Sequence, residues 1–382
     1  MVTNLDNVEE PSEYELAAWR DIQRFKGRPL SAALRSAGEG VSNGAAALGR
    51  RAAAYLEDHP GAESVVSRGR GIVAKGANAI GAGARKAAGA LPTSAADWSG
   101  SAAGSMQRTV AKISRAGLSP KRVVELHQKR GHEVTKLSDL RRLDLEQIHM
   151  VRGRSLSWYY PAAAAVSGMS AGLVISGGEL ATAVSAGAAA APSGGAIVGA
   201  LAGDAAIVIG LASRAVGHVS LLYGYDPEEP AEKLFVLSVV NAGTAASVGA
   251  KNAAFADISR LTQALVRGKA WSVLNDSVVS QIARKFAESV GHTLTKKGLG
   301  KVVPAAGILV GGTLNWTTLE GIVDTAEMAY RRRFLLEKYP QLLDEEPLEA
   351  FVVEDMDDPN DVAEEGFSVL DELAVEGGPD LR

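Results

Sequence analysis

The sequence predicts an all-α protein, a multi-helix bundle around a Gly/Ala-rich central helical hairpin with a disordered acidic tail. The apolar runs are long and rich in alanine, and none alternates apolar with polar residues as a half-buried strand does. The longest run, residues 161–225, is broken by a turn signal at 192–195, which leaves two arms of helix length. The third observation is that residues 341–382 contain fifteen acidic residues and one basic residue. Such a block of like charge predicts a disordered tail.

The first helix begins at a capping box in which Ser12 accepts from the backbone and Glu15 reaches back. Tyr14 and Trp19 belong to its apolar side, and a Gly-Arg-Pro sequence at 27–29 ends it. We expect this aromatic-rich helix to dock on the protein's own core. Lying in a membrane interface is the alternative.

A basic segment of low complexity follows, and with the first helix it forms a predicted region 1–118. Residues 64–122 contain ten Lys or Arg and a single acid, Asp97. Such a segment can bind anionic lipid or nucleic acid through its charge. Trp98 is its single aromatic residue and it carries no nucleic-acid-binding motif, which argues against nucleic acid and in favour of a lipid surface.

The predicted helical core, residues 119–340, opens on Ser119-Pro120, an N-cap followed by proline at the first helical position. A second short helix follows from Ser138. Three histidines in this region, His127, His132 and His149, do not have the spacing of a metal motif, and we expect them at the surface.

The hairpin, residues 161–225, has three charged residues, Glu179, Asp204 and Arg214. The glycines of its second arm fall within an arc of about 80° on one helical face, which predicts a groove for close helix packing. The first arm offers Gly168-x-x-x-Gly172 as the matching surface. The predicted groove consists of Gly195, Gly199, Gly203, Gly210 and Gly217.

The same hairpin is long enough to cross a membrane, since uncharged runs flank Glu179 on both sides. Alanine, glycine and serine contribute little transfer free energy, and an acid inside a span costs about 2.5–3.5 kcal/mol. We therefore expect a hairpin buried in protein, with integral insertion as the alternative.

Further helices are predicted at 231–256, 256–266 and 278–290. A second Gly-rich stretch precedes the capping box Thr317-Thr318-Leu319-Glu320, which predicts the start of the last helix. In the tail, residues 367–373 have the pattern of a short docking helix. We expect the tail as a whole to be a solvated segment. The alternative is that it folds back on the body or binds a protein partner.

The predicted site lies in the apolar layer. Counted from Ser193, Glu179 and Asp204 come within about 5 Å of each other along the hairpin axis. Two carboxylates at the same depth in an apolar layer repel each other, so the pKa of at least one of them is raised or a cation must lie beside them. His218, Asn315 and Asp324 are the predicted partners. Arg214 belongs to the same group but lies about 15 Å along the helix from Asp204, too far for a direct pair unless the helices bend. The group is interpreted as a structural polar network, a ligand or metal site, or a proton relay.

Several separated motifs together cover roughly residues 12–340. They are Tyr14-Glu15 with Trp19; Gly203-Asp204 with Arg214; Leu222-Tyr223-Gly224-Tyr225-Asp226; Val236-Leu237-Ser238; Lys301-Val302-Val303-Pro304 with Gly311-Gly312 and Asn315; and Tyr330-Arg331-Arg332-Arg333-Phe334-Leu335. These motifs resemble those of the EcsC family of bacterial proteins. The resemblance implies membrane association and brings no established biochemical activity.

The absence of cysteine excludes thiolate catalysis and Cys-ligated metals, and no hydrolase or phosphate-loop motif occurs in the sequence. We expect a non-enzymatic accessory or scaffold protein without a cofactor, held peripherally at the cytoplasmic face of an anionic membrane or on a membrane protein complex. The alternative is a metal-dependent hydrolase or small-ligand-binding protein that uses Glu179 and Asp204.

Overall fold

A computed structural model describes residues 10–25, 113–114, 117–152, 157–169, 194–245, 247–268, 276–299, 307–343 and 367–379. Within these ranges the chain forms helices and turns without a β-strand, so the predicted all-α class is confirmed. The turn of the hairpin before Gly194, most of its first arm and most of the basic segment lie outside the described residues.

The helices are named in chain order. They are α1 (Glu13–Gln23), α2 (Pro120–Gln128), α3 (Leu145–Arg152), α4 (157–169), α5 (Gly194–Leu222), α6 (Pro230–Thr244), α7 (Val248–Val266), α8 (Asp276–Leu299), α9 (Gly307–Lys338) and α10 (Val369–Val375), with 3-10 helices at Leu137–Arg142 and Pro340–Leu343.

The helix starts show why local sequence placed several elements correctly. The Ser12 hydroxyl accepts from the Glu15 backbone while the Glu15 side chain accepts from the Ser12 N–H, which is the predicted capping box. Ser119 likewise accepts from the backbone of Arg122, with Pro120 at the first helical position. Each cap satisfies backbone donors that have no partner inside the helix.

The predicted start of the last helix at Thr317 is wrong. Helix α9 runs without interruption from Gly307, and Thr317 and Thr318 lie inside it. Their hydroxyls donate to the carbonyls of Thr313 and Leu314, one turn earlier. A threonine that bonds back in this way is compatible with a helix interior, so the capping pattern did not mark an end.

Helix α9 lies at the centre of the packing. It contacts α5 and α6 along its length, α5 also packs on α8, and α6 packs on α7. Helices α6 and α9 are in tight contact where Gly243 meets Ile322, since a Cβ on that glycine would lie 2.4 Å from Ile322 Cγ1. The second arm of the predicted hairpin, α5, thus packs against the C-terminal helices.

Both described ends of the chain pack on this body. Helix α1 contacts α9 and α3 and buries Trp19 and Ile22. Helix α10 contacts α6, α7 and α8 and buries Val369, Leu370 and Leu373. The prediction of a disordered tail is therefore wrong over residues 367–379, because the burial of apolar side chains stabilises this short helix on the body.

Candidate functional site

Asp204 lies where α4, α5 and α9 meet. The Ser167 hydroxyl on α4 donates to its Oδ1 at 2.7 Å, and the Asn315 amide on α9 donates to both its oxygens, at 2.9 and 3.0 Å. Burial raises the pKa of Asp204, and these hydrogen bonds oppose the rise. Since both oxygens already face donors, the arrangement fits a polar clamp between three helices.

The other predicted site residues are not gathered around Asp204. Glu179 lies outside the described residues, and among the described residues of the first arm Ser167 reaches Asp204. Asp324 lies on the exposed face of α9, outside the apolar layer.

Arg214 and His218 meet at a second junction, further along α5. The Tyr160 hydroxyl of α4 lies 3.2 Å from His218 Nδ1 and also hydrogen-bonds to Arg214. Burial, with the charge of Arg214 beside it, lowers the pKa of His218 to about 4, so the imidazole is neutral near pH 7. The structure thus divides the predicted network between two levels of the α4–α5 pair.

The predicted glycine groove receives a different occupant from the one expected. A Cβ at Gly210 would lie 2.9 Å from Ile113 Cβ, and one at Gly217 would lie 3.1 Å from Leu118. At Gly203 there is open space, while Gly195 and Gly199 lie outside the residues whose surroundings are described. Where its contacts are described, this face holds the end of the basic segment.

The first arm makes its own close contact elsewhere. A Cβ at Gly312 of α9 would lie 2.7 Å from Met169 Cγ and 3.3 Å from the carbonyl of Ala165. The second Gly-rich stretch therefore lets α4 approach the backbone of α9.

The expectation that all three N-terminal histidines lie at the surface is wrong for His127, which is 0% exposed. Its Nδ1 lies 2.9 Å from Nδ1 of His132, so the two rings share one hydrogen bond. Burial and the charge of His132 lower the pKa of His127 to about 4. The inward face of α2 thus holds a histidine that is neutral near pH 7.

A chain of polar side chains that the sequence did not reveal begins at His149. Its Nδ1 lies 2.7 Å from the hydroxyl of Tyr14 and its Nε2 lies 3.0 Å from the hydroxyl of Tyr223. Tyr223 donates to Glu327 at 3.1 Å, and Glu327 pairs with Arg152 at 2.6 Å. The chain links α1, α3, α5 and α9 from the surface to the interior.

Three consecutive arginines on α9 point to three different neighbours. Arg331 lies 3.9 Å from Glu327, Arg332 donates to the Ser259 hydroxyl of α7, and Arg333 pairs with Glu232 of α6 at 2.6 Å. Successive helical residues differ by about 100° in direction, which explains the three partners. Three arginines in an apolar helix were the available sequence signal for this cluster.

A depression of about 540 Å³ lies beside Arg333. Both charged and apolar residues line it, and Asp204, His218 and Asn315 are not among them. The pocket that a hydrolase at the predicted acids would require is therefore not this one. The lining residues are Arg141, Leu265, Val266, Arg267, Arg333, Glu337, Pro340 and Leu343.

The described residues also bear on the metal-site and membrane-insertion alternatives. Among the described residues, no three His, Asp or Glu side chains lie close enough together to hold a metal ion. Over the same residues, one stretch, Gly203–Leu222 of α5, is long and apolar enough to cross a membrane, and it is 72% buried inside the protein.

Comparison with known proteins agrees with the resemblance noted in the sequence. The model of the EcsC protein family matches residues 84–335. The uncharacterized protein YdbA of Bacillus subtilis (strain 168) is 30% identical over 140 residues, which are 36% of this chain and 48% of YdbA. The chain thus spans about half the length of this curated relative, and no solved structure matches it. Because the family model covers about two thirds of the sequence, the chain belongs to the EcsC protein family.

Proposed function

We propose that this protein is a non-enzymatic helical accessory or scaffold protein that attaches peripherally to the cytoplasmic face of an anionic membrane. The observation that carries the proposal is the charge of residues 64–122, with ten basic residues and one acid. Each Lys or Arg near an anionic surface contributes about 1 kcal/mol to attachment. A segment of this composition therefore supplies most of the binding.

The contacts at the end of this segment support a link between membrane and helical body. Ile113 and Leu118 fit against Gly210 and Gly217 of α5, and α2 begins directly afterwards at Pro120. The basic segment thus continues into a fixed part of the fold. Attachment of the segment would hold the whole body at the surface.

The packing of α5 favours peripheral attachment over insertion. Its apolar stretch is covered by α9, α8 and α6 in the described structure, and 72% of it is buried. A helix whose faces contact protein has little surface left for lipid. Insertion would require α5 to give up these contacts.

Vesicle binding tests the proposal with a charge-matched pair of variants. Neutralising Arg68, Arg70, Arg85 and Lys86 to Gln should weaken binding to phosphatidylglycerol vesicles about 1000-fold, because four attractive charges worth about 1 kcal/mol each are lost. The control variant neutralises four exposed cations of the helical body and should bind like the wild type. These are Arg24, Lys129, Arg142 and Arg260.

Flotation of the wild type with phosphatidylglycerol or phosphatidylcholine vesicles, at low and high salt, provides the measurement. We expect binding to the anionic vesicles alone and release by salt, since exposed charges are screened. Equal loss in both variants would assign the effect to net charge in general. Binding that resists salt and carbonate would show insertion instead.

A further inference from the structure

The tail helix α10 fills a groove formed by α6, α7 and α8. Val369, Leu370 and Leu373 are each at most 3% exposed, and the Phe367 ring packs edge-on against Phe286 at 5.6 Å. A helix of seven residues is too short to persist alone in water. The groove therefore holds it in its helical form.

The floor of the groove recognises the N-terminus of this helix. Asp257, which is 3% exposed, accepts from the Ser368 hydroxyl and the Val369 N–H, both at 2.9 Å, and from the Leu370 N–H at 3.4 Å. A carboxylate at this position satisfies backbone donors that the helix leaves open and complements its dipole. The two backbone contacts of Asp257 do not depend on the side chains of the helix, whereas the third requires a hydroxyl at the position of Ser368.

Two further side chains of the body contact the tail segment, one before the start of α10 and one towards its end. The Asn241 amide donates to the carbonyl of Phe367 at 2.5 Å. Lys285 pairs with Glu372 at 2.6 Å and with Glu376 at 2.8 Å. The groove therefore offers an apolar floor, an acid for the N-terminus, an amide before it and a cation for the acids that follow.

These contacts have the form of helix-in-groove recognition, in which apolar anchors lie along one face of a short helix. We propose that this groove is a binding site for a short acidic helix of a partner protein, and that residues 367–379 occupy it until that partner displaces them. The helix it fits has the pattern Phe-Ser-apolar-apolar-acid-acid-apolar, as in residues 367–373. The site is separate from the proposed membrane segment and does not depend on it.

The first test cuts the chain without removing the tail. A protease site replaces part of residues 344–366, and the cut protein is incubated with a labelled synthetic peptide of residues 367–379. We expect the peptide to replace the cut tail and to elute with the body. A cut tail that stays bound and does not exchange with excess peptide would overturn the proposal, as would loss of the folded body once the tail leaves.

Charge reversal tests whether the groove reads the helix through Lys285. In the cut protein, Lys285→Glu should lower the affinity for the peptide about tenfold, because two favourable ion pairs become repulsive. A peptide with Glu372→Lys and Glu376→Lys should restore binding to that variant and bind the original groove weakly. A peptide with Leu373→Asp should not bind either protein, and equal binding of all three peptides would contradict the assignment.

The uncut chain provides the third test. A tethered helix competes at an effective concentration on the order of 1 mM, so for a Kd of about 10 μM the uncut protein should bind the peptide roughly 100-fold more weakly than the cut protein does. Light scattering identifies the resident helix. A monomer supports occupancy by the chain's own tail, whereas a dimer that the peptide dissociates would overturn it in favour of exchange between two copies.

Discussion

Glu15 shows how a single buried acid connects distant parts of the chain. It is 1% exposed, and its oxygens accept from the Tyr339 hydroxyl at 2.6 Å and from the Lys338 ammonium at 3.1 Å. The backbone N–H groups of Ser12 and Leu145 donate to it as well. Burial by itself would raise the pKa of Glu15, but the donors around it outweigh burial and hold that pKa below 4.5.

This arrangement gives a stability difference with a defined pH dependence. Glu15→Gln should lower the free energy of unfolding by about 2–4 kcal/mol at pH 7, because hydrogen bonds to a charged group are lost. A lowered pKa stabilises the fold above the unfolded-state value of 4.5, and this contribution is lost as the pH falls through the folded-state pKa. Urea unfolding at pH 7 and at pH 3.5 measures the change.

Glu13→Gln provides the control for the Glu15 variant. Glu13 lies in the same first turn of α1 but is exposed, so its replacement should change the free energy of unfolding by less than about 0.5 kcal/mol. A Glu15 variant whose loss of stability does not shrink at low pH would show that the charge is not the cause.

The site could be predicted only where a charge stands out from its sequence surroundings. Asp204 is conspicuous because its neighbours are apolar, and Asn315 was named among its partners. Glu15 and Glu232 lie in segments with several charges, where a buried acid looks like a solvated one. Their burial depends on partners more than 100 residues away, such as Tyr339 and Arg333, and a local pattern carries no information about these.

At the level of helices, the glycines show where backbones come together. Close contacts occur at Gly210 and Gly217 of α5, two of the glycines of the predicted groove, but periodicity alone did not identify Ile113 and Leu118 as their neighbours. Another tight contact between two long helices is at Gly243, on a helix for which no glycine pattern was noted. One glycine opposite one isoleucine leaves no periodic signal.

The contact at Gly243 predicts a large effect for one added methyl group. Gly243→Ala should lower the free energy of unfolding by about 1–3 kcal/mol, because the new Cβ would lie 2.4 Å from Ile322 Cγ1 and 2.9 Å from its Cα. Thermal unfolding followed by circular dichroism measures the loss. The backbone of α9 cannot yield as a flexible side chain could.

Gly321→Ala is the matched control, since Gly321 precedes Ile322 on α9 and a Cβ there meets nothing within 4 Å. Alanine inside a helix should stabilise by up to about 1 kcal/mol at such a position. Stabilisation by both substitutions would show that α6 and α9 are not in contact at Gly243.

For the whole molecule, the boundaries drawn from composition differ from the packing. Composition separates residues 1–118, 119–340 and 341–382, because the segments differ in charge and complexity. In the structure α1 and α10 both pack on the helices between them. Composition reports what a segment is made of, whereas packing depends on a few apolar side chains, such as Trp19 and Leu373, within otherwise polar stretches.

If α1 is part of the core, loosening its packing should lower the stability of the whole fold. Trp19 is 4% exposed on α1, and Trp19→Ala should lower the free energy of unfolding by about 3–5 kcal/mol in a single transition. Calorimetry and hydrogen exchange measured together distinguish an α1 that unfolds with the body from an α1 that unfolds separately. Amides of α1, α3 and α9 should lose protection together, since α1 contacts both of the other helices.

Leu16→Ala tests the same helix on its outer side, where Leu16 is 39% exposed. This substitution should leave the free energy of unfolding within about 0.5 kcal/mol of the wild-type value. A separate low-temperature transition in the Trp19 variant, with exchange confined to α1, would support the independent N-terminal region that composition predicts. A shared transition makes the first helix part of the folded body. Any partner or surface that binds α1 would then act on the stability of the whole helical core.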